Sequence, residues 1–215
     1  MIKIIIFDLD GLLIDSQPLQ YEAFNQAFSE KGYPINEKDW HKEWIHGGMS
    51  PKKWVEMHNL SLDSEKIRAR KKEIYDRLIK TKLELKPGAL SLLRLLEGNY
   101  RMAIASSSRI ESIELSVDKF DLRPKFEHLI SDVDLDKEKP HPEIFLHTAK
   151  IMKVEPEYCL VIEDSLAGLQ AAKSAGMKCI ICPDPYSNKD NKKFVGADVI
   201  VDRLDEISLE MIDKM

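Results

Sequence analysis

Ile2-Lys3-Ile4-Ile5-Ile6-Phe7-Asp8-Leu9-Asp10-Gly11 decides the fold. Residues 2–7 are almost continuously apolar rather than alternating. That pattern belongs to a strand of a parallel sheet with helices on both faces. The run ends in two acids separated by one residue, followed by a glycine suited to a tight turn. Carboxylates in that position stand at the carboxyl edge of the sheet, where open α/β folds bind their ligands. A calcium loop does not fit: its polar ligand and its closing glutamate would fall on Leu12 and Leu19.

Similar apolar runs follow at 102–105, 128–131, 159–162, 178–182 and 199–201. Between them, helical spacing covers 87–96, 110–120, 142–152 and 165–175, and Gly176 stands where a helix C-cap favours positive φ. Strand alternating with helix predicts a doubly wound, Rossmann-like parallel sheet of the α/β class. One connection is too long: about 70 residues separate the first strand from the next core helix. Within this insert Tyr21, Phe24 and Phe28 follow a helical stripe, as do Trp40 and Trp44, and Ser50-Pro51 reads as an N-cap with a first-turn proline. The expected organisation is an α/β core of residues 1–15 and 86–215 with a small all-helical cap domain of residues 16–85, hinged near 15–18 and 85–88.

The 215 residues carry 43% hydrophobic and 32% charged side chains, enough apolar material for a core and too much for disorder. A net charge of −5 argues against nucleic acid as a partner. No apolar run approaches the roughly 20 residues of a membrane span, and the N-terminal run is too short for a signal peptide. Three cysteines do not make a disulfide framework. Cys179 and Cys182 spell C-x-x-C, but residues i and i+3 of a strand face opposite sides, so both read as core. The basic run Lys66, Arg68, Arg70, Lys71, Lys72 reads as a solvated helix face, and the polar run 187–193 as a surface loop.

Three further strand ends carry chemistry. Ser106-Ser107-Ser108-Arg109 offers hydroxyls and N–H groups at a helix N-terminus, a ready anion site or simply a serine cap. Lys139 is followed at once by Pro140 and reads as a stiffened lysine near a strand end. Glu163-Asp164-Ser165 places paired acids ahead of a helix that Asp164 or Ser165 could cap. Each motif alone has an ordinary structural explanation. Together they gather a nucleophile, an anion site and a metal site along one sheet edge.

The ordered set Asp8-Leu9-Asp10-Gly11, Ser106 after an apolar run, Lys139-Pro140 and Glu163-Asp164-Ser165 resembles the haloacid dehalogenase superfamily. The insertion point of the helical segment resembles the subgroup of β-phosphoglucomutase and the sugar-phosphate phosphatases. The resemblance implies Asp8 as nucleophile and Asp10 as general acid and base. It implies Ser106 and Lys139 as catalytic partners. Leu9, Ser107, Ser108 and Arg109 would contact phosphate, and Gly48 and Ser50 in the insert would contact substrate. One Mg²⁺ would be held by Asp8, the backbone carbonyl of Asp10 and Asp164, with Glu163 as an outer or water-mediated partner. The implied enzyme is a cytoplasmic, monomeric phosphomonoesterase acting on a small phosphorylated metabolite.

Two alternatives remain open. A phosphosugar mutase would share every one of these motifs; the resemblance gives mutases a histidine in the first cap helix, where this chain has Gln20. A phospho-accepting switch domain also combines Asp, Mg²⁺, a hydroxyl and Lys, but is shorter and uncapped.

Overall fold

The computed structural model describes residues 1–45, 49–133, 135–186 and 193–215. The chain forms two compact units, Met1–Asp15 with Glu84–Met215, and Ser16–Leu83. Glu84 and Leu85, expected to close the insert, lie in the first unit: Asp15 N–H donates to the Glu84 carbonyl at 2.9 Å, and Ile14 bridges Leu85.

Strand β1 (Ile4–Phe7) opens the first unit. The second unit then runs through helices α1 (Gln17–Ser29), α2 (Glu37–Asp39) with a π-helical turn over Trp40–Ile45, α3 (Pro51–Met57) and α4 (Ser64–Lys82). The first unit resumes with α5 (Ala89–Leu96), β2 (Arg101–Ser106), α6 (Ile110–Lys119), β3 (His128–Ser131) and α7 (Glu143–Met152). It ends with β4 (Cys159–Glu163), α8 (Leu166–Ser174), β5 (Lys178–Ile181), β6 (Val199–Ile200) and α9 (Leu209–Asp213).

The six strands order as β3-β2-β1-β4-β5-β6, all parallel. This is the doubly wound α/β sheet expected from the apolar runs. The order reverses around β1, so a crevice opens at its carboxyl end. Helix starts differ from expectation by a residue or two for local reasons. Gly88, at φ +85°, delays α5 until Ala89, and the Ser165 hydroxyl caps α8 by accepting from Gly168 N–H at 3.0 Å. Gly176, at φ +75°, follows α8 as a C-terminal stop. Cys182 lies just past β5 and is half-buried, whereas Cys159 and Cys179 are buried; all three are free thiols.

Alternation along β1 sends side chains to two buried faces. Ile4 and Ile6 join Phe145, Ala149 and Met152 of α7 and Leu169 of α8 in one core. Phe7 points the other way, edge-on to Phe126 with ring centroids 6.0 Å apart.

In the helical unit, Trp40, Trp44 and Trp54 are buried as core, with the Trp40 and Trp44 rings stacked at 5.4 Å. Ser50 caps α3 by accepting from Lys53 N–H. The basic run of α4 is mostly surface ion pairs, Arg70 with Glu30 and Glu73, Lys72 with Asp76, each worth little in water. Lys71 breaks the pattern. Its ammonium donates to the Gln20 side-chain carbonyl and sits over the rings of Phe24 and Tyr75. No described helix is long and apolar enough to cross a membrane.

The α7 face gives a direct test. Phe145 is fully buried and its neighbour Leu146 is 40% exposed. Phe145→Ala should cost about 3–5 kcal/mol in urea unfolding, by lost burial and a residual cavity. Leu146→Ala should cost about 0.5 kcal/mol or less. Equal losses would contradict this packing.

Candidate active site

Strand register brings the site together. Phe7 pairs across to Ile104 of β2 and Ile162 of β4, so Asp8 follows at the level where β2 and β4 end. Its N–H donates to the Ile162 carbonyl at 3.0 Å, which continues the ladder one residue beyond the strand. Asp8 is therefore held by backbone at the carboxyl edge, only 6% exposed.

Lys139 arrives from the segment before α7. Its ammonium donates to Asp8 Oδ1 at 2.6 Å, Glu163 Oε1 at 2.7 Å and the Ala105 carbonyl at 3.1 Å. All three protons of the ammonium thus have acceptors. Glu163 is equally committed. Its Oε2 accepts from Asp164 N–H, Ser165 N–H and the Ser165 hydroxyl, each at 2.9 Å.

Carboxylate oxygens of Asp8, Glu163 and Asp164 lie within 4.8 Å of one another, and all three residues are buried. Three carboxyl groups thus share one ammonium. The electrostatics follow. Burial pushes Asp8 up to about 7, with Glu163 and Asp10 adding to the rise and Lys139 opposing it. Asp164 is driven well above the usual carboxylate range by burial and by its neighbours Glu163, Asp8 and Asp184. Burial works against both charges of the Lys139–Glu163 pair, but their mutual attraction prevails: Lys139 is raised and Glu163 is lowered. A cluster of hard oxygens short of two positive charges suits a divalent cation such as Mg²⁺. Asp8 and Asp164 carry the unmatched charge, and Glu163 stands on the lysine side of the cluster.

Asp10 faces a different environment. Its Oδ2 accepts from the Ser106 hydroxyl at 3.1 Å and the Ser108 hydroxyl at 2.7 Å. Ser106 Oγ in turn accepts from Ser108 N–H at 3.0 Å. Ser107 donates its hydroxyl proton to Asp132 at 2.6 Å. Arg109 is exposed at the start of α6 and makes no side-chain cap. Leu9 is 1% exposed and belongs to the buried core. Of the two insert residues, Ser50 lies in the helical unit as the α3 cap, and Gly48 lies outside the described residues, as does most of the run 187–193.

Two glycines make room for these acids. A Cβ on Gly11, at φ +84°, would come 2.5 Å from Asp164 Oδ2. A Cβ on Gly168 would come 1.8 Å from Glu163 Oε1 and 1.9 Å from its Cδ. Gly168 and Asp132 were not singled out in the sequence. Asp132 carried the same signal as Asp8 and Asp164, an acid at the end of an apolar run.

A family profile described as haloacid dehalogenase-like hydrolase matches residues 5–182. The chain belongs to that family. It is an enzyme, a phosphatase of the family's β-phosphoglucomutase-like subgroup. Hexitol phosphatase B of Escherichia coli K12 is 31% identical over 220 residues, spanning 94% of this chain and 93% of that protein. CbbY of Rhodobacter sphaeroides, solved in complex with phosphate, superposes with a TM-score of 0.85 at 26% identity, over 99% of this chain and all of that one. A putative β-phosphoglucomutase from Thermotoga maritima gives 0.81 at 27% identity over the whole of both chains.

Gly168→Ala separates helix propensity from site geometry in this hydrolase. Within a helix the change ordinarily stabilises by about 1 kcal/mol. Here the methyl group must displace the Glu163 carboxylate, so a net loss of about 1–3 kcal/mol is expected, together with reduced hydrolysis. A stabilised, fully active variant would show that Glu163 tolerates displacement.

Proposed function

We propose that this hydrolase is a Mg²⁺-dependent phosphomonoesterase that removes phosphate from a small phosphorylated carbohydrate through an aspartyl-phosphate on Asp8. The observation that supports this reading is the buried cluster of three carboxylates sharing one ammonium. Asp8 and Asp164, with the Asp10 carbonyl, would hold Mg²⁺. Bound there, the ion would supply the missing positive charge and offset repulsion between Asp8 and a phosphate dianion. Glu163 would act from the outer side by fixing Lys139.

A carboxylate oxygen of Asp8 attacks phosphorus, and the bond from phosphorus to the substrate oxygen breaks. Asp10 gives its proton to the leaving alcohol. Water then attacks phosphorus of the acyl phosphate and Asp10 takes up its proton, releasing inorganic phosphate and restoring Asp8. Lys139 balances charge on Asp8 throughout, and Ser106 with the N–H groups of 106–109 would hold the phosphoryl oxygens. The helical insert would serve as a cap, with Ser50 and Gly48 reading the leaving group. The carbohydrate assignment is supported by the names of the relatives, hexitol phosphatase among them. A cytoplasmic monomer is the working expectation.

The test is phosphate release from a panel of hexitol and sugar phosphates with Mg²⁺. Asp8→Asn should lower kcat/KM by about three orders of magnitude or more. Undiminished release by Asp8→Asn would overturn the nucleophile. Efficient conversion of β-glucose 1-phosphate to glucose 6-phosphate, primed by the bisphosphate and with little phosphate release, would favour the mutase.

Metal and pH should be linked. Without metal, burial in this cluster pushes Asp8 up from 3.8 to about 7, so the native state holds an extra proton between those values. Stability of the metal-free protein should therefore fall as pH rises through that window. Mg²⁺ competes with the same protons, so its gain in Tm should be larger at about pH 8 than at about pH 5.5. Equal gains would mean that the ion does not contact these carboxylates.

A further inference from the structure

The end of β3 braces the serine loop from behind. Ser131 donates its hydroxyl to the Ser108 carbonyl at 2.8 Å, and Asp132 N–H donates to the Ser106 carbonyl at 3.1 Å. The Asp132 carboxylate is the unusual member. It is 1% exposed, and its Oδ2 receives the Ser107 hydroxyl at 2.6 Å and lies 3.5 Å from Lys139 N–H. Its Oδ1 is buried without a hydrogen-bond donor among the described residues.

Burying a carboxylate with one oxygen unmatched is costly. Placing it behind a loop that receives an anion adds repulsion. Shape alone does not require a charge there, since an asparagine would fill the same space. What the carboxylate adds is a short charge-assisted hydrogen bond, about twice as strong as a neutral one. That bond consumes the single hydroxyl proton of Ser107, so Ser107 has none left to donate to phosphate. It also ties the serine loop to the backbone of the residue whose ammonium meets Asp8.

We infer that Asp132 is a positioning residue of the phosphoryl site, with Ser107 as its latch. Together they hold the loop 106–108 and Lys139 in one mutual register. Asp132 does not touch substrate. This rests on the reading of Ser106–Ser108 as the phosphate cradle, and it reassigns the Ser107 hydroxyl from ligand to structural tie.

The experiment is a double-mutant cycle on the full chain with Mg²⁺. It reads the KM for p-nitrophenyl phosphate and the dissociation constant of inorganic phosphate by ³¹P NMR, with Tm as a folding control. Asp132→Ala should weaken phosphate binding and raise KM by about tenfold or more. Ser107→Ala should shift both the same way by less. The double variant Ser107→Ala/Asp132→Ala should be no worse than Asp132→Ala, because both changes break one tie. Asp132→Asn, which keeps an acceptor oxygen but loses the charge, should fall between the wild type and Asp132→Ala.

Wild-type phosphate affinity in folded Asp132→Ala, or additive losses in the double variant, would overturn the inference. If Asp132→Ala does not fold, the same cycle run with Asp132→Asn and Ser107→Ala decides by the same additivity criterion. Phosphate affinity needs no turnover. A protein that binds phosphate in an Asp132-dependent way yet releases none from any ester would sink the phosphatase reading and leave this inference standing.

Discussion

One ammonium among three buried carboxylates is the constraint around which the sheet edge is built. Lys139 hydrogen-bonds Asp8 and Glu163 and leaves Asp164 to face them both. Truncating one partner of a buried, hydrogen-bonded charge pair generally costs about 3–5 kcal/mol, because the other charge is left uncompensated. Here the imbalance exists even with every residue present. The raised Asp8 and Asp164 express it as an affinity for protons, and the same affinity is available to a divalent cation. A site of this kind costs stability, and the apolar sheet beneath it offsets that cost.

The sheet does so by register. Parallel strands ending at one level put Asp8, Ser106, Ser131 and Glu163 side by side, although they come from four separate parts of the chain. Backbone ladders continue past the strand ends at Asp8 and Asp132, so both acids are fixed by main chain before any side-chain contact forms. Gly11 and Gly168 complete the arrangement by omission. Each leaves the volume that an acidic side chain occupies, which is why a helix otherwise rich in alanine carries a glycine at its third position.

Much of this was legible in the residues themselves. The apolar runs announced the parallel sheet because burial on both faces removes the need for alternation. Ser50 and Ser165 announced their helices because an N-cap is a local bargain between a hydroxyl and an N–H three residues on. Asp8, Asp10 and Asp164 stood out as acids at strand ends. What could not be read were contacts spanning long separations. Glu163 reaches a lysine 24 residues earlier, and Ser107 reaches an acid 25 residues later. The same holds at the end of the insert, where Glu84 and Leu85 pair with Asp15 and Ile14, some 70 residues away in sequence. Lys71 read as one more solvated cation because nothing in a helical pattern announces Gln20 and two aromatic rings beside it.

The two acids of the first motif show how environment divides labour between identical side chains. Asp8 sits in the charge cluster, where its carboxylate accepts from the Lys139 ammonium. Asp10, two residues on, has its Oδ2 turned to the hydroxyls of Ser106 and Ser108 instead. A carboxylate bonded to a cation is fixed in place, which suits the nucleophile that the proposed reading makes of Asp8. The proposed reading gives Asp10, within reach of these hydroxyls, the part of acid and base. Under the proposed reading, those same hydroxyls also receive the phosphoryl group. An incoming phosphate then competes with Asp10 for its present donors and frees its carboxyl group, which brings its proton to the leaving oxygen. The turn at Gly11 and the serine loop behind it therefore serve both steps, binding the anion and freeing the proton carrier, without any group having to change its identity.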